Sequence, residues 1–230
     1  MTAHLDFLIR HAVLPLLWLA WAFYWWLGAR DVKETTRRES TISRLLHVIP
    51  MMLAGVLLWM PRLPVLGLDH RFLAWTPWNG LAGTTIAAGG FAFMVWARRH
   101  IGRNWSAVVT LKQDHELVTS GPYALVRHPI YTGLLLAFIG SAIALGHCRG
   151  LLAVLVMCLT VLRKYRLEER WLRECFGVAY DAYRAREGAR AFCPLTLHPS
   201  GCPPRSTPIC SPSCWSSRSS RGASTRASAA

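Results

Sequence analysis

The sequence predicts an all-α fold: a polytopic transmembrane helix bundle of about five spans with a cytoplasmic C-terminal helical segment. Three observations predict it. Hydrophobic residues make up 53% of the 230-residue chain and charged residues only 17%, too few to cover a water-exposed surface. Long runs lack Asp, Glu, Lys and Arg altogether: 11–29, 45–61, 72–97, 128–148 and 150–162. The basic residues collect between these runs in an alternating pattern, which is how membrane orientation is encoded.

Each run has its own length argument. A helix needs roughly 17–25 residues to cross the hydrocarbon core. The first, third and fourth runs meet that length outright. The second is short, but Arg44 and Arg62 bound it, and their long side chains can snorkel to the interface. The fifth crosses only if it continues through Arg163 and Lys164. The first run is followed by Gly28-Ala29-Arg30-Asp31 without a small-residue cleavage site, so it reads as a retained helix and not a signal peptide.

Orientation follows from charge. The segments after the first, third and fifth runs, counted as far as Arg190, hold 18 Lys and Arg, against 4 on the other side: Arg10, Arg62, Arg71 and Arg149. The positive-inside rule makes the richer side cytoplasmic, with the N-terminus outside. The chain then divides into N-terminal helices over 1–62, a part over 72–194 with the last three helices and their cytoplasmic loops, and a tail over 195–230. The tail has no acidic residue, is dominated by Ser, Pro, Arg, Ala and Cys, and reads as disordered low-complexity sequence with no assigned function.

The formal net charge of +14 points to membrane lipids and not to nucleic acid, because an apolar chain offers no surface for a basic stripe. Seven Cys form no CxxC pair and fit no zinc spacing, so no metal site is expected.

One place gathers polar residues at the rim of the apolar chain. The fourth and fifth runs are joined around His147-Cys148-Arg149, a connection short enough to force an antiparallel hairpin. With Cys148 as the fold point, His128 lies about 20 residues before it and Glu168 about 20 after. The hairpin therefore sets Glu168 and Glu169 beside Arg127, His128 and Tyr131 at the cytoplasmic surface. Pro129 suits a first helical turn, whose free N–H groups attract an anion. Arg127 and Tyr131 share a face at four-residue spacing. Gly133 permits close approach of a ligand or a neighbouring helix, and Gly121-Pro122-Tyr123 is a turn that aims Tyr123 at the same spot. Judged one by one, such residues also serve as interfacial anchors or as salt bridges within a helix. Their convergence at one depth favours a functional site.

The stretch His115-Glu-Leu-Val-Thr-Ser-Gly-Pro-Tyr-Ala-Leu-Val-Arg-His-Pro-Ile-Tyr-Thr-Gly133 closely resembles the signature of the isoprenylcysteine carboxyl methyltransferase family and its phospholipid methyltransferase relatives. The run from Glu168 to Tyr183 is similar to that family's second block, and Gly102-Arg-Asn-Trp-Ser106 to the segment before the signature. The resemblance implies an integral membrane enzyme that uses S-adenosylmethionine, with a cofactor pocket at the cytoplasmic ends of the last helices. It implies that His115, Leu117 and Val118 line that pocket. Tyr123, Arg127, His128, Pro129, Tyr131 and Gly133 would hold the methionine and adenosine parts, and Glu168 or Glu169 the hydroxyls or the amine.

Arg127, Glu168 and Glu169 are the expected catalytic residues. A lipophilic acceptor reaching the site from the bilayer would meet Arg98, Arg99, Arg103 or Trp105. A carboxylate acceptor needs no general base, whereas an amine would give its proton to Glu168 or Glu169. After Tyr183 the chain departs from the family's apolar, Pro-containing end. Three other readings stay open: a lipid-amine N-methyltransferase, an NADPH-dependent reductase of the steroid-reductase type, and a non-catalytic membrane subunit. The sequence leaves any protein partner open.

Overall fold

The computed structural model describes residues 2–28, 35–38, 40–60, 67–74, 76–102, 110–112 and 118–187. Helix α1 (Thr2–Leu8) runs through a five-residue π turn, Ile9–Val13, into α2 (Leu14–Gly28). Strand β1 (Thr35–Arg38) precedes α3 (Thr41–Trp59) and α4 (Pro77–Ile101). Strand β2 (Thr110–Lys112) and a 3-10 turn (Gly121–Ala124) lead to α5 (Pro129–Leu145), α6 (Cys148–Phe176) and α7 (Val178–Glu187). The all-α expectation holds but for one short antiparallel ribbon, in which β1 pairs with β2 through Thr35–Lys112, Arg37–Leu111 and Arg38–Thr110. It joins two loops that sequence patterning placed on one side.

Three helical stretches are long and apolar enough to cross a membrane: Asp6–Gly28, Thr41–Trp59 and Pro77–Ile101. Their caps explain their bounds. Ser40 accepts from Ser43 N–H at the start of α3, and Thr76 from Asn79 N–H at the start of α4, where Pro77 occupies the first turn. The second run, short as a charge-free stretch, becomes a full-length helix because α3 starts three residues ahead of Arg44. The fourth run does the reverse. His128 caps α5 and Gly146 ends it at φ 69°, leaving 17 residues. Only the first half of the 29-residue α6 is apolar; the rest carries the charges of the second block.

Helices α4 and α5 pack antiparallel with their backbones almost touching. Gly83 lies against Gly140 and Ala144, and Gly90 against Gly133 and Ala137. Lipid is as apolar as Leu, so no hydrophobic drive brings membrane helices together, and close backbone packing of small residues does that work. Trp18 of α2 docks onto this pair. Its indole N–H donates to Ser141 Oγ at 3.0 Å, and its ring meets Phe91 and Phe138 edge-on at 5.0 and 5.1 Å. Helices α3, α5 and α6 enclose a second core of Ala54, Leu57, Leu58, Phe138, Ala153, Met157 and Val161.

Two arginines secure the ends of the first long helix. Arg10 pairs with Asp6 at 2.7 Å and donates to the carbonyls of Thr76 and Ala144. At the other end Arg98 donates to the Gly28 carbonyl at 2.7 Å. The turn between α5 and α6 is clasped by the preceding loop, where Asp69 accepts from Arg149 at 2.7 Å and Leu68 and His70 carbonyls accept from the Arg149 and Cys148 N–H groups.

Candidate active site

The hairpin of α5 and α6 brings the polar residues together where chain length dictates. Arg127, one residue ahead of the α5 N-cap, donates to Glu169 Oε1 at 2.5 Å, with 5% and 10% of the two side chains exposed. Tyr131, one turn into α5, donates its hydroxyl proton to Glu168 Oε1, also at 2.5 Å. His128 sits between the carboxylates, its Nδ1 3.7 Å from Glu168 and its Nε2 3.8 Å from Glu169. The imidazole stacks on Tyr131 at 5.8 Å and 15° and meets Tyr165 edge-on at 5.1 Å. Pro129 is fully buried in the first turn of α5.

A lid of tyrosines closes the lower side. Gly177, at φ 49°, turns the chain from α6 into α7, which packs back through Phe176, Tyr180 and Tyr183. Tyr183 donates to the Tyr123 carbonyl at 2.7 Å, joining α7 to the Gly121–Ala124 turn. Tyr180, 1% exposed, faces Glu169. Burial first, and the Glu169 charge second, push its phenol well above the ordinary tyrosine range. Tyr123 is shifted the same way by burial and by Glu168. Both phenols therefore stay protonated as donors.

For Glu169, burial works to raise the pKa, but the ring of His128 and the charge of Arg127 outweigh it and hold the carboxyl below its usual value of 4.5. A carboxyl depressed in the folded state stabilises the fold above its unfolded pKa, and that stability is lost as pH falls through the lower folded value. Thermal melts of the lipid-embedded protein should therefore be flat from neutral pH down to about 4.5 and drop below it. The Glu169→Gln variant should show a shallower drop.

The other expected site residues fall as follows. Arg98 is buried and caps the Gly102 and Gly28 carbonyls at 2.7 Å each; Arg99 is exposed. Val118 is half-buried near the Gly121–Ala124 turn. Gly133 faces Gly90 and Met94, so the room left by its missing side chain is filled by α4. His115, Leu117, Arg103 and Trp105 lie outside the described residues. Sequence reading did not single out Tyr165, Tyr180 or Lys164. The signal for Tyr165 was helical spacing, since it precedes Glu168 and Glu169 by three and four residues on α6. Among the described residues no His, Cys, Asp or Glu cluster could hold a metal ion.

Residues 78–179 match the family model described as phospholipid methyltransferase. The chain is 38% identical over 88 residues to a protein-S-isoprenylcysteine O-methyltransferase of Schizosaccharomyces pombe, covering 37% of each chain. It is 36% identical over 115 residues to the Rattus norvegicus protein of that name, covering 47% of this chain and 39% of the relative. It is 35% identical over 79 residues to the cobalt-zinc-cadmium resistance protein CzcN of Cupriavidus metallidurans, covering 33% of this chain and 36% of that one. The chain thus spans 36–39% of the length of these three relatives. The region that matches the family model spans α4 to the start of α7, the elements that build the site. Over this region the chain is similar to protein-S-isoprenylcysteine O-methyltransferases, in line with the resemblance read from the sequence.

Proposed function

We propose that this protein is an integral membrane methyltransferase that moves a methyl group from S-adenosylmethionine to a lipophilic carboxylate, such as a prenylcysteine or a similar small apolar acid. The observation that carries this reading is the convergence of Arg127, His128, Tyr131, Glu168 and Glu169 at one depth, on the part of the chain that matches methyltransferases.

The residues present fit the donor. Arg127 keeps its Nε buried and without a hydrogen-bond partner among the described residues, a spare donor for a carboxylate. The first-turn N–H groups of α5, which no intrahelical carbonyl can satisfy, add positive potential there. Two carboxylates set against one guanidinium leave the cluster acidic, which suits a molecule carrying an ammonium and a sulfonium. Glu168, 25% exposed, is the carboxylate open to amine or ribose hydroxyls. Glu169 is held by Arg127, and Tyr131 orients Glu168.

When bound, S-adenosylmethionine supplies an electrophilic methyl group on a cationic sulfur. The chain's own part is positional. Arg127 and Glu168 hold the two ends of the amino-acid moiety, and the aromatic wall of Tyr123, Tyr131 and Tyr180 keeps water away from the reacting centre. A carboxylate acceptor attacks in line without a base, so neither glutamate has to change protonation during the transfer.

Five spans, with the N-terminus outside, put this site at the cytoplasmic surface. Asp6–Gly28, Thr41–Trp59 and Pro77–Ile101 supply three of them, while α5 and the apolar half of α6 supply the last hairpin. Titration of the full chain in lipid nanodiscs separates the cofactor readings. S-adenosylhomocysteine is expected to bind and NADPH not to. Binding of NADPH with none of S-adenosylhomocysteine overturns the proposal.

A further inference from the structure

On the membrane side of Tyr131 lies a basic group outside the pairs described so far. Arg163 ties α6 to the first turn of α3, donating to Ser43 O at 3.1 Å and Ser43 Oγ at 2.8 Å. The next residue, Lys164, is only 6% exposed. Its Nζ lies 3.4 Å from Nε2 of His47 on α3 and 5.7 Å from the centre of the Tyr131 ring. An ionisable residue buried at the membrane boundary is costly and marks a functional position by default.

Tyr131 links this ammonium to the site. Its hydroxyl rests on Glu168 while its ring lies beneath Lys164. The surroundings of one ring are therefore acidic at the hydroxyl end and basic at the α3–α6 end. The acidic end suits a cationic donor, and the basic end suits an anionic acceptor and repels an ammonium. On α3 beside His47, Leu46 is 55% exposed, and Leu53, two turns deeper on the same face, is 48% exposed. A molecule with an anionic head at Lys164 would keep its hydrocarbon tail in the bilayer along this face of α3.

We infer that Lys164 binds the acceptor carboxylate, an inference that rests on the methyltransferase reading above and adds to it a residue and the charge of the substrate head. The step balances without a further reactant. A carboxylate oxygen forms the new C–O bond to the methyl carbon as the C–S bond breaks. The bonding pair goes to sulfur, which leaves as the neutral thioether of S-adenosylhomocysteine, and the ester formed is neutral, so no proton moves. The acceptor's negative charge disappears in the transfer, so the ester loses its attraction to Lys164 and is free to depart.

The test uses the full chain in nanodiscs with N-acetyl-S-farnesylcysteine as probe and its carboxamide as the uncharged control. Binding of the probe is measured without donor, and S-adenosylhomocysteine binding is measured separately. The parent should bind the acid at least about tenfold more tightly than the amide. Lys164→Met should lose that preference and Lys164→Arg keep it, with S-adenosylhomocysteine affinity unchanged in both. Equal binding of acid and amide by the parent, or an undiminished preference in Lys164→Met, overturns the inference. Loss of S-adenosylhomocysteine binding in the parent instead defeats the methyltransferase reading, and the acid-to-amide ratio still judges Lys164.

Discussion

Arg127→Ala is expected to abolish measurable S-adenosylhomocysteine binding to the lipid-embedded protein, a loss of roughly a hundredfold or more. Removing the guanidinium strips the site of its spare N–H donor. It also leaves Glu169 as a buried carboxylate without its pair, 10% exposed and facing the buried Tyr180. Breaking a buried ion pair from one side costs about 3–5 kcal/mol, so the variant should also melt earlier. Arg127→Lys restores the charge but not the planar fork, and should recover stability better than binding. Glu169→Gln, which removes the charge and keeps the shape, should fall between. Isothermal titration beside thermal melting reads both quantities; parental affinity in a folded Arg127→Ala protein would show that the donor binds elsewhere.

Gly90→Val is expected to be strongly destabilising, as any side chain larger than hydrogen would be along the α4–α5 seam. A Cβ at Gly90 would stand 2.5 Å from the Gly133 carbonyl oxygen and 2.8 Å from the Ala137 nitrogen. Both are backbone atoms of α5, so no side chain can swing aside, and the helices must separate. Overpacking commonly costs about 1–3 kcal/mol, and a backbone clash repeated along a glycine seam belongs at or above the top of that range. Gly89 is the control, because a Cβ there meets nothing within 4 Å. Gly89→Ala should leave thermal stability in detergent unchanged or slightly raised, since Ala is the better helix former. If Gly90→Val and Gly89→Ala melt alike, α4 and α5 are not in backbone contact.

The central pairings were legible in the sequence because they depend on few variables. A short turn and a fixed rise per residue place His128 opposite Glu168 without any knowledge of the other helices, and the two lie 3.7 Å apart. The same arithmetic reaches Arg127 with Glu169, and it sets Tyr131 opposite Tyr165, one turn short of the Glu168 that its hydroxyl meets. Contacts that depend on where a third element ends were not legible. Arg98 was expected at the acceptor; its hydrogen bonds to Gly28 O and Gly102 O depend on the ends of two helices. Lys164 figured only in the continuation of the fifth run, because its approach to His47 depends on how α3 leans on α6. Tyr180 and Tyr183 reach the site only because Gly177 reverses the chain, and a single glycine in a sequence does not say which way it turns. Gly133 was open to either a ligand or a helix, and the spacing of glycines on α4 decided for the helix.

The glycine seam also governs traffic. Where Gly83 meets Gly140 and Gly90 meets Gly133, no gap remains for an acyl or prenyl chain, and parting the helices would forfeit the close contacts that hold them in lipid. That wall behaves as a sealed joint. For the acceptor proposed above, hydrocarbon moving between bilayer and reaction centre would pass on the other flank, where α3 leans on α6 through side chains that can change rotamer, and there the entrance and the exit would be the same door.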